Sequence, residues 1–179
     1  MEALLKDLKR IIDIPSVKGE AEDKTPFGAP IKKVLEETLS IFESYGFKTF
    51  MEPEGYYGYA EMGEGELFGV LGHLEVVGTG SLSDRNHDPF DMIEKDGYIL
   101  GRGIQDDKGP VITVLHALKS LLDEGKSLNR RLRFIFGTDE ENLWRCLDAY
   151  KQKEDLPTMG FAPDADFPLV HVEKGMVQL

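Results

Sequence analysis

The segment Gly101-Arg-Gly-Ile-Gln-Asp-Asp-Lys-Gly-Pro110 is the most informative part of this chain. It is a glycine-rich turn with two adjacent carboxylates, and a strand-like pattern precedes it at residues 98–100. Apolar side chains recur after it at the spacing of an amphipathic helix: Val111, Val114, Leu115, Leu118, Leu121 and Leu122. Open α/β sheets bind their ligands at such strand-to-helix junctions, so we expect the functional site around Asp106.

Three further acidic or imidazole clusters follow short apolar runs that are typical of strands. The clusters are Gly72-His-Leu-Glu75, Gly137-Thr-Asp-Glu-Glu141 and Phe161-Ala-Pro-Asp-Ala-Asp166. The apolar runs before them cover residues 68–71, 132–136 and 159–161. Strand ends that meet at one edge of a sheet would gather one histidine and several carboxylates, a ligand set that suits a pair of divalent metal ions.

These motifs, in this order, resemble those of the di-zinc exopeptidases, the family that includes aminoacylases, glutamate carboxypeptidases and carnosinases, and most closely its bacterial dipeptidase V branch. The matching segments are Gly72-His-Leu-Glu-Val-Val77, Gly101 to Pro110, Gly137 to Glu141 and Ala162-Pro-Asp-Ala-Asp-Phe-Pro168. The resemblance implies an α/β fold, a three-layer α/β/α sandwich with a mixed, mostly parallel sheet. It also implies hydrolysis of dipeptides or short peptides with two zinc ions, although cobalt or manganese would also suit imidazole and carboxylate ligands.

The resemblance assigns roles to five residues. His73, Asp106 and Asp164 would hold one zinc, and Asp106 would bridge to a second zinc held by Glu141. Glu140 would be the general base, which takes a proton from the attacking water and passes it to the leaving amine.

Glu75 would support catalysis by orienting the site. It stands where the family usually has an aspartate, so it keeps the charge but adds a methylene. The family's catalytic domain also includes a lid domain and a last histidine ligand, and we expect residues 1–179 to be the N-terminal portion of that domain without them. A catalytically inactive metal-binding fragment is the competing hypothesis. An N-acyl-amino-acid deacylase on the same scaffold is a third.

Composition limits the partners that the chain can have. Its 179 residues are 41% hydrophobic, enough to bury one core as a single domain. The net charge of -12 disfavours binding to nucleic acid or to anionic membranes, so a small peptide is the partner we expect, and the sequence does not indicate an oligomeric state. Cys146 is the only cysteine, which excludes an internal disulfide. The chain starts without a signal-like apolar run, and we predict a cytoplasmic protein.

The periodicity of apolar residues predicts the remaining elements. Helices are expected at residues 4–12, 31–42, 108–124 and 143–150, with Gly46 closing the second of them. A hairpin is expected from strands at 47–52 and 56–61, and a last strand at 169–172. The segments at 18–30 and 78–91 are predicted to be loops.

Several other polar residues have structural interpretations. Asp107 is expected to cap the helix that follows it, and Asp139 and Asp166 to be turn or supporting residues. Arg102 and Lys108 would either offset the acidic cluster or be exposed. His116 is expected to be a helix-surface or packing residue, and His171 to be structural. His87, with Asp84 and Asp88, is expected more often to bind no metal than to bind one. Cys146 is not expected to be a nucleophile.

Overall fold

The computed structural model describes residues 1–81, 83 and 86–165. In chain order the elements are α1 (Glu2–Ile12), α2 (Ala29–Ser44), β1 (Lys48–Met51), β2 (Gly58–Met62), β3 (Leu67–His73), β4 (Ile93–Lys95), β5 (Tyr98–Leu100), α3 (Lys108–Asp123), β6 (Arg131–Gly137), α4 (Arg145–Lys153) and β7 (Met159–Phe161). Five strands form the main sheet in the order β1-β2-β6-β3-β7, while β4 and β5 pair with each other.

The main sheet is mixed. The predicted hairpin is confirmed, since β1 and β2 are antiparallel, and β2 is also antiparallel to β6. β3 runs parallel to β6 and to β7, and the register sets His73 opposite Gly137. Since the carboxyl ends of parallel strands lie at one edge of a sheet, the three clusters that follow β3, β6 and β7 start from the same edge.

Side-chain alternation along β6 separates two apolar layers. Phe134 and Phe136 pack with α1, α2 and α3 on one face of the sheet. Ile135 points to the other face, where it packs with Cys146 and Leu147 of α4. Helices therefore cover both faces, which confirms the expected three-layer α/β/α sandwich.

Helix α2 ends as its sequence predicts. Gly46 has φ of 88°, a left-handed conformation that glycine adopts without steric cost. The Gly46 N–H donates to the Glu43 carbonyl at 2.9 Å, and the Phe47 N–H donates to the Phe42 carbonyl at 3.2 Å. This is the Schellman arrangement, which satisfies carbonyl groups at the end of the helix.

The strand before the Gly101–Pro110 turn lies outside the main sheet, which corrects the expected junction. β5 pairs only with β4, and no pattern in the sequence predicted β4. The turn therefore connects a separate two-stranded ribbon to α3. Gly109 lets it close, because a Cβ there would lie 1.8 Å from the Ile104 carbonyl oxygen.

Helix α4 begins at Arg145 rather than at residue 143 and extends to Lys153. Trp144 before it has φ of 58°, which lies outside the helical region. Of the remaining expectations, the strand at 169–172, His171, Asp166 and Asp84 lie outside the described residues. Among the helices of the described part, none combines the length and the apolar character needed to cross a membrane.

Candidate metal centre

His73 is the centre of the cluster at the edge of the sheet. It ends β3, is 2% exposed, and its backbone N–H donates to Asp107 Oδ2 at 3.1 Å. Its Nδ1 lies 3.0 Å from the carbonyl oxygen of Glu75. A proton on Nδ1 satisfies that carbonyl, and Nε2 is the ring nitrogen that faces the carboxylates.

The expected carboxylates converge on His73 Nε2 from three separate elements. Asp106 Oδ1 lies at 2.8 Å, from the turn before α3; Asp164 Oδ2 lies at 3.3 Å, from the segment after β7. Glu140 Oε2 lies at 3.8 Å, from the segment after β6. Two groups of side chains could each hold a metal ion, because the ligand atoms within each group lie within 4.8 Å of one another. One group is His73, Asp106 and Asp164, and the other is His73, Glu140 and Glu141.

The carboxylates of this cluster are short of positive charge. In the described part of the chain, no lysine or arginine nitrogen lies within 4.0 Å of any of them. Burial raises the pKa of Glu140, Glu141 and Asp164, and the charges of neighbouring carboxylates raise it further. Burial opposes protonation of His73, but the surrounding carboxylates outweigh it, and the pKa of His73 is raised. The cluster is therefore electrostatically unfavourable without a cation.

Glu75 and Asp107 lie behind His73, and each has one unsatisfied oxygen. Glu75 is 1% exposed; its Oε1 accepts the Glu141 N–H at 3.1 Å, and its Oε2 is 3.7 Å from His73 Nδ1. Glu75 Oε2 and Asp107 Oδ1 are buried, and neither has a hydrogen-bond partner among the described residues. Burial raises the pKa of Asp107 to about 8. Glu75 thus connects the histidine to the acidic segment after β6.

The predicted capping role of Asp107 is wrong. Asp107 is the N-cap residue of α3, but its side chain makes no capping hydrogen bond. Its carboxylate instead accepts the His73 N–H across the sheet edge. The tertiary contact replaces the local one, so helix-start rules could not have found it.

Both expectations for Lys108 are wrong, because it is not exposed and, among the described residues, its Nζ forms no ion pair with a carboxylate. It is fully buried, and its Nζ donates to the carbonyls of Ile11 at 2.8 Å and Ile14 at 3.0 Å. Burial lowers the pKa of Lys108 to about 7. The signal was present in the sequence, since position 108 shares the buried helix face of Val111 and Leu115. Arg102, in contrast, is half-exposed.

The other polar residues take structural positions. His116 Nε2 lies 3.0 Å from Asp7 Oδ2, so it packs between helices as expected. Asp139 lies in a turn as expected, paired with Arg145. His87 belongs to no ligand group found in the described part of the chain. Cys146 is buried, and burial raises the pKa of its thiol to about 11, consistent with no nucleophilic role.

Curated relatives support the resemblance seen in the motifs. The chain is 42% identical over 179 residues to "Putative dipeptidase YtjP" of Bacillus subtilis, covering 98% of this chain and 38% of that protein. It is 40% identical over 176 residues to "Putative dipeptidase SH1171" of Staphylococcus haemolyticus, covering 97% of this chain and 37% of that protein. The chain therefore spans less than two-fifths of the length of these relatives.

Solved structures share the fold. Human carnosine dipeptidase 1 superposes with a TM-score of 0.74 at 19% identity, covering 90% of this chain and 38% of that one. The M20 family metallo-carboxypeptidase Sso-CP2 of Sulfolobus solfataricus also gives a TM-score of 0.74, at 22% identity, covering 91% and 37%. Residues 69–178, which include every predicted ligand, match the profile of peptidase family M20/M25/M40. This chain belongs to peptidase family M20/M25/M40.

Proposed function

We propose that residues 1–179 are the N-terminal portion of the catalytic domain of a zinc-dependent dipeptidase. Membership of a metallopeptidase family implies a divalent metal. The observation that carries the finer proposal is the convergence of Asp106, Asp164 and Glu140 on His73 Nε2. The names of the relatives, dipeptidases in both bacteria, support the substrate class.

The residues present fit a pair of divalent cations. The donor set is one imidazole nitrogen and four carboxylates, a mixture that suits zinc, with cobalt and manganese as alternatives. Four clustered carboxylates repel one another, and two cations between them would remove that repulsion. The two orphaned oxygens belong to Glu75 and Asp107, the acidic residues that orient His73 behind the proposed ligands.

We assign His73, Asp106 and Asp164 to one zinc, and Asp106 with Glu141 to the second. When bound, the two ions would polarise the scissile carbonyl and lower the pKa of the attacking water. Glu140 accepts a proton from that water at Oε2 and returns it to the leaving amine.

The supporting residues keep these groups in place. Glu75 holds the His73 ring through its carbonyl oxygen and holds the Glu141 backbone through its carboxylate. Asp107 holds the His73 backbone. Loss of any of these contacts would change the orientation of a proposed metal ligand without removing that ligand.

The competing hypotheses lead to different chemistry on the same scaffold. A deacylase would use the same groups on an N-acyl amino acid. An inactive metal-binding fragment would hold metal at the same residues without turnover. We further propose a cytoplasmic location and a small peptide as the partner. The net charge of -12 supports the proposal that the protein binds neither nucleic acid nor membranes.

Zinc stoichiometry tests the metal centre. The chain is stripped with a chelator, reconstituted and titrated, with Asp106→Ala as the test variant and Asp123→Ala as the matched control at the exposed end of α3. We expect the control to bind as many zinc equivalents as the wild type, and Asp106→Ala to lose at least one of them, because Asp106 belongs to both proposed sets. Wild-type stoichiometry in Asp106→Ala would refute the assignment.

Turnover separates the enzymatic hypotheses. The reconstituted chain is assayed with dipeptides and with N-acetyl amino acids, using Glu140→Ala as the test variant and the exposed Glu124→Ala as control. Dipeptide hydrolysis that Glu140→Ala abolishes would support the proposal and exclude the inactive fragment. Faster turnover of the acylated amino acids would favour the deacylase.

A further inference from the structure

The buried carboxylate of Asp139 accepts hydrogen bonds that close the backbone turn containing Glu140 and Glu141. We call residues 139–145 the acid turn. Asp139 is fully buried, and its side chain accepts three hydrogen bonds from Arg145: from the backbone N–H at 3.2 Å, from Nε at 2.6 Å and from Nη2 at 2.7 Å. The guanidinium bonds form a bidentate pair, which restricts orientation as well as distance.

The backbone carbonyl of Asp139 forms a second set of hydrogen bonds across the same turn. Its carbonyl oxygen accepts the Trp144 N–H at 2.9 Å and the Asn142 N–H at 3.4 Å. Trp144 has φ of 58°, a left-handed conformation that is unfavourable for a bulky side chain. These bonds hold Trp144 in that conformation, so the acid turn is a constrained loop rather than a free one.

Arg145 and Asp139 are themselves held from outside the turn. The Arg145 guanidinium carbon lies 4.8 Å from the centre of the Phe27 ring, a cation–π contact. Lys18 Nζ lies 3.9 Å from Asp139 Oδ1. The buried charge of Asp139 is therefore balanced, unlike the charges of the carboxylates around His73.

Glu140 and Glu141 lie between the two members of this pair. Glu140 Oε2 is 3.8 Å from His73 Nε2, and the Glu141 N–H donates to Glu75 at 3.1 Å. Repulsion from Asp106 acts on both glutamates, and repulsion from Asp164 acts on Glu140, so a loose turn would move away from His73. The Asp139–Arg145 pair resists that displacement.

We propose that Asp139 and Arg145 are positioning residues of the metal centre, which hold the acid turn so that Glu140 and Glu141 face His73. This inference rests on the proposed function, in which Glu141 is a metal ligand. Neither Asp139 nor Arg145 is assigned a contact with metal or substrate.

The turn contains its own reporter. Trp144 is the only tryptophan of the chain, and its side chain is 45% exposed. Its emission and its quenching by acrylamide therefore report on the acid turn alone, with or without metal. Circular dichroism in urea reports on the whole fold and separates a local change from unfolding.

The test compares Arg145→Met with Lys151→Met, a matched change at an exposed position of the same helix. Arg145→Met keeps an apolar stem near Phe27 but removes every donor to Asp139 except the backbone N–H. Co²⁺ binding, followed by visible absorption, is titrated into both variants and into Glu141→Gln, which identifies the Glu141-dependent equivalent.

We expect Arg145→Met to raise acrylamide quenching of Trp144 about twofold in the metal-free chain. We also expect it to weaken binding of the Glu141-dependent Co²⁺ equivalent by about 10-fold, the lower end of the range for losing a residue that orients a metal ligand. Lys151→Met should match the wild type, and Arg145→Lys should recover part of the affinity. If Arg145→Met does not fold, Asp139→Asn is measured instead, with the same expectation.

The outcomes distinguish the inference from the function on which it rests. Wild-type quenching and wild-type Co²⁺ affinity in a folded Arg145→Met chain would overturn the positioning role and leave the proposed function intact. A wild-type chain that binds no Co²⁺, or one whose binding Glu141→Gln does not weaken, would overturn the ligand assignment and this inference with it.

Discussion

Two clusters in this molecule combine a histidine with carboxylates but differ in how their charges are balanced. We call the one formed by Asp7, Tyr45 and His116 the helix cluster; the other surrounds His73. Between the helices, Asp7 Oδ2 accepts from His116 Nε2 at 3.0 Å and from the Tyr45 hydroxyl at 2.6 Å, and Arg10 Nη1 lies 3.7 Å from Asp7 Oδ1. At the sheet edge, His73 faces several carboxylates without a lysine or arginine within 4.0 Å in the described part of the chain.

The difference is one of charge balance. In the helix cluster one carboxylate has two hydrogen-bond donors and a guanidinium, so all its members are satisfied by the protein. In the metal centre the carboxylates outnumber their donors, and two buried oxygens are orphaned. A satisfied cluster stabilises the fold, whereas a strand-end cluster whose carboxylates lack protein donors is suited to binding a cation.

The largest expected effect comes from replacing the histidine of each cluster with alanine. His73→Ala should weaken zinc binding by more than about 100-fold, because loss of an outer partner alone costs roughly 10- to 100-fold. His116→Ala, the matched change in the helix cluster, should leave zinc affinity unchanged. Competition with a chromophoric chelator measures both, and equal losses in the two variants would remove the distinction between the clusters.

A smaller effect is expected for Glu75, which lies behind the proposed ligand His73. Glu75→Gln should weaken zinc binding by about 10-fold, because the amide lacks the charge that faces His73 Nδ1. Asp7→Asn makes the same chemical change in the helix cluster and should leave zinc affinity as it is. Zinc titration of both variants checks this, and a Glu75→Gln chain with unaltered affinity would show that Glu75 does not support the ligands.

Stability without metal should change in opposite directions in the two clusters. Asp7→Asn should lower the free energy of unfolding by about 1 kcal/mol, since a buried carboxylate loses charge-assisted hydrogen bonds. Glu140→Gln should raise it by about 1 kcal/mol, because it relieves repulsion in an unbalanced site. Urea unfolding of the chelator-treated chains measures both. A destabilised Glu140→Gln chain would mean that the acidic cluster is already balanced without a cation.

The smallest effect concerns high pH and the helix cluster alone. Burial, together with the hydrogen bond to Asp7, raises the pKa of Tyr45 to about 12 from 10.0. The unfolded chain therefore loses this proton first, so the stabilisation is complete below pH 10 and falls as pH rises toward 12. Tyr45→Phe should remove that part of the fall. Urea midpoints of wild type and Tyr45→Phe across this range, with the exposed Tyr98→Phe as the control, would reveal it, and parallel curves for wild type and Tyr45→Phe would contradict it.

Periodicity predicted most of the helices and strands, and motif order predicted which clusters meet at the edge of the sheet. Apolar spacing identified α1, α2 and α3, and the short apolar runs identified β3, β6 and β7. Each run ended at an acidic or imidazole cluster, and parallel pairing brought those clusters together. The family resemblance added roles for individual residues, and those roles remain predictions.

What the sequence did not reveal depends on contacts between distant segments. The exclusion of β5 from the main sheet follows from its pairing with β4, a three-residue strand with no distinctive pattern. Asp107 bonds to His73, and Asp139 pairs with Arg145; both pairings depend on how the strand ends are arranged in space. Local rules favour a helix cap or a solvated turn at such positions, and tertiary structure overrides them.

The buried Lys108 also affects the order of events during synthesis. Its ammonium group joins two backbone carbonyls near the end of α1 to the start of α3, across 97 and 94 residues of sequence. Such a long closure carries a high entropic cost and belongs to the slow part of folding. On the ribosome, α1 would wait until more than a hundred residues had emerged before its end was locked. The N-terminal helix, which supplies no ligand, thereby becomes a late partner in assembling the turn that carries Asp106.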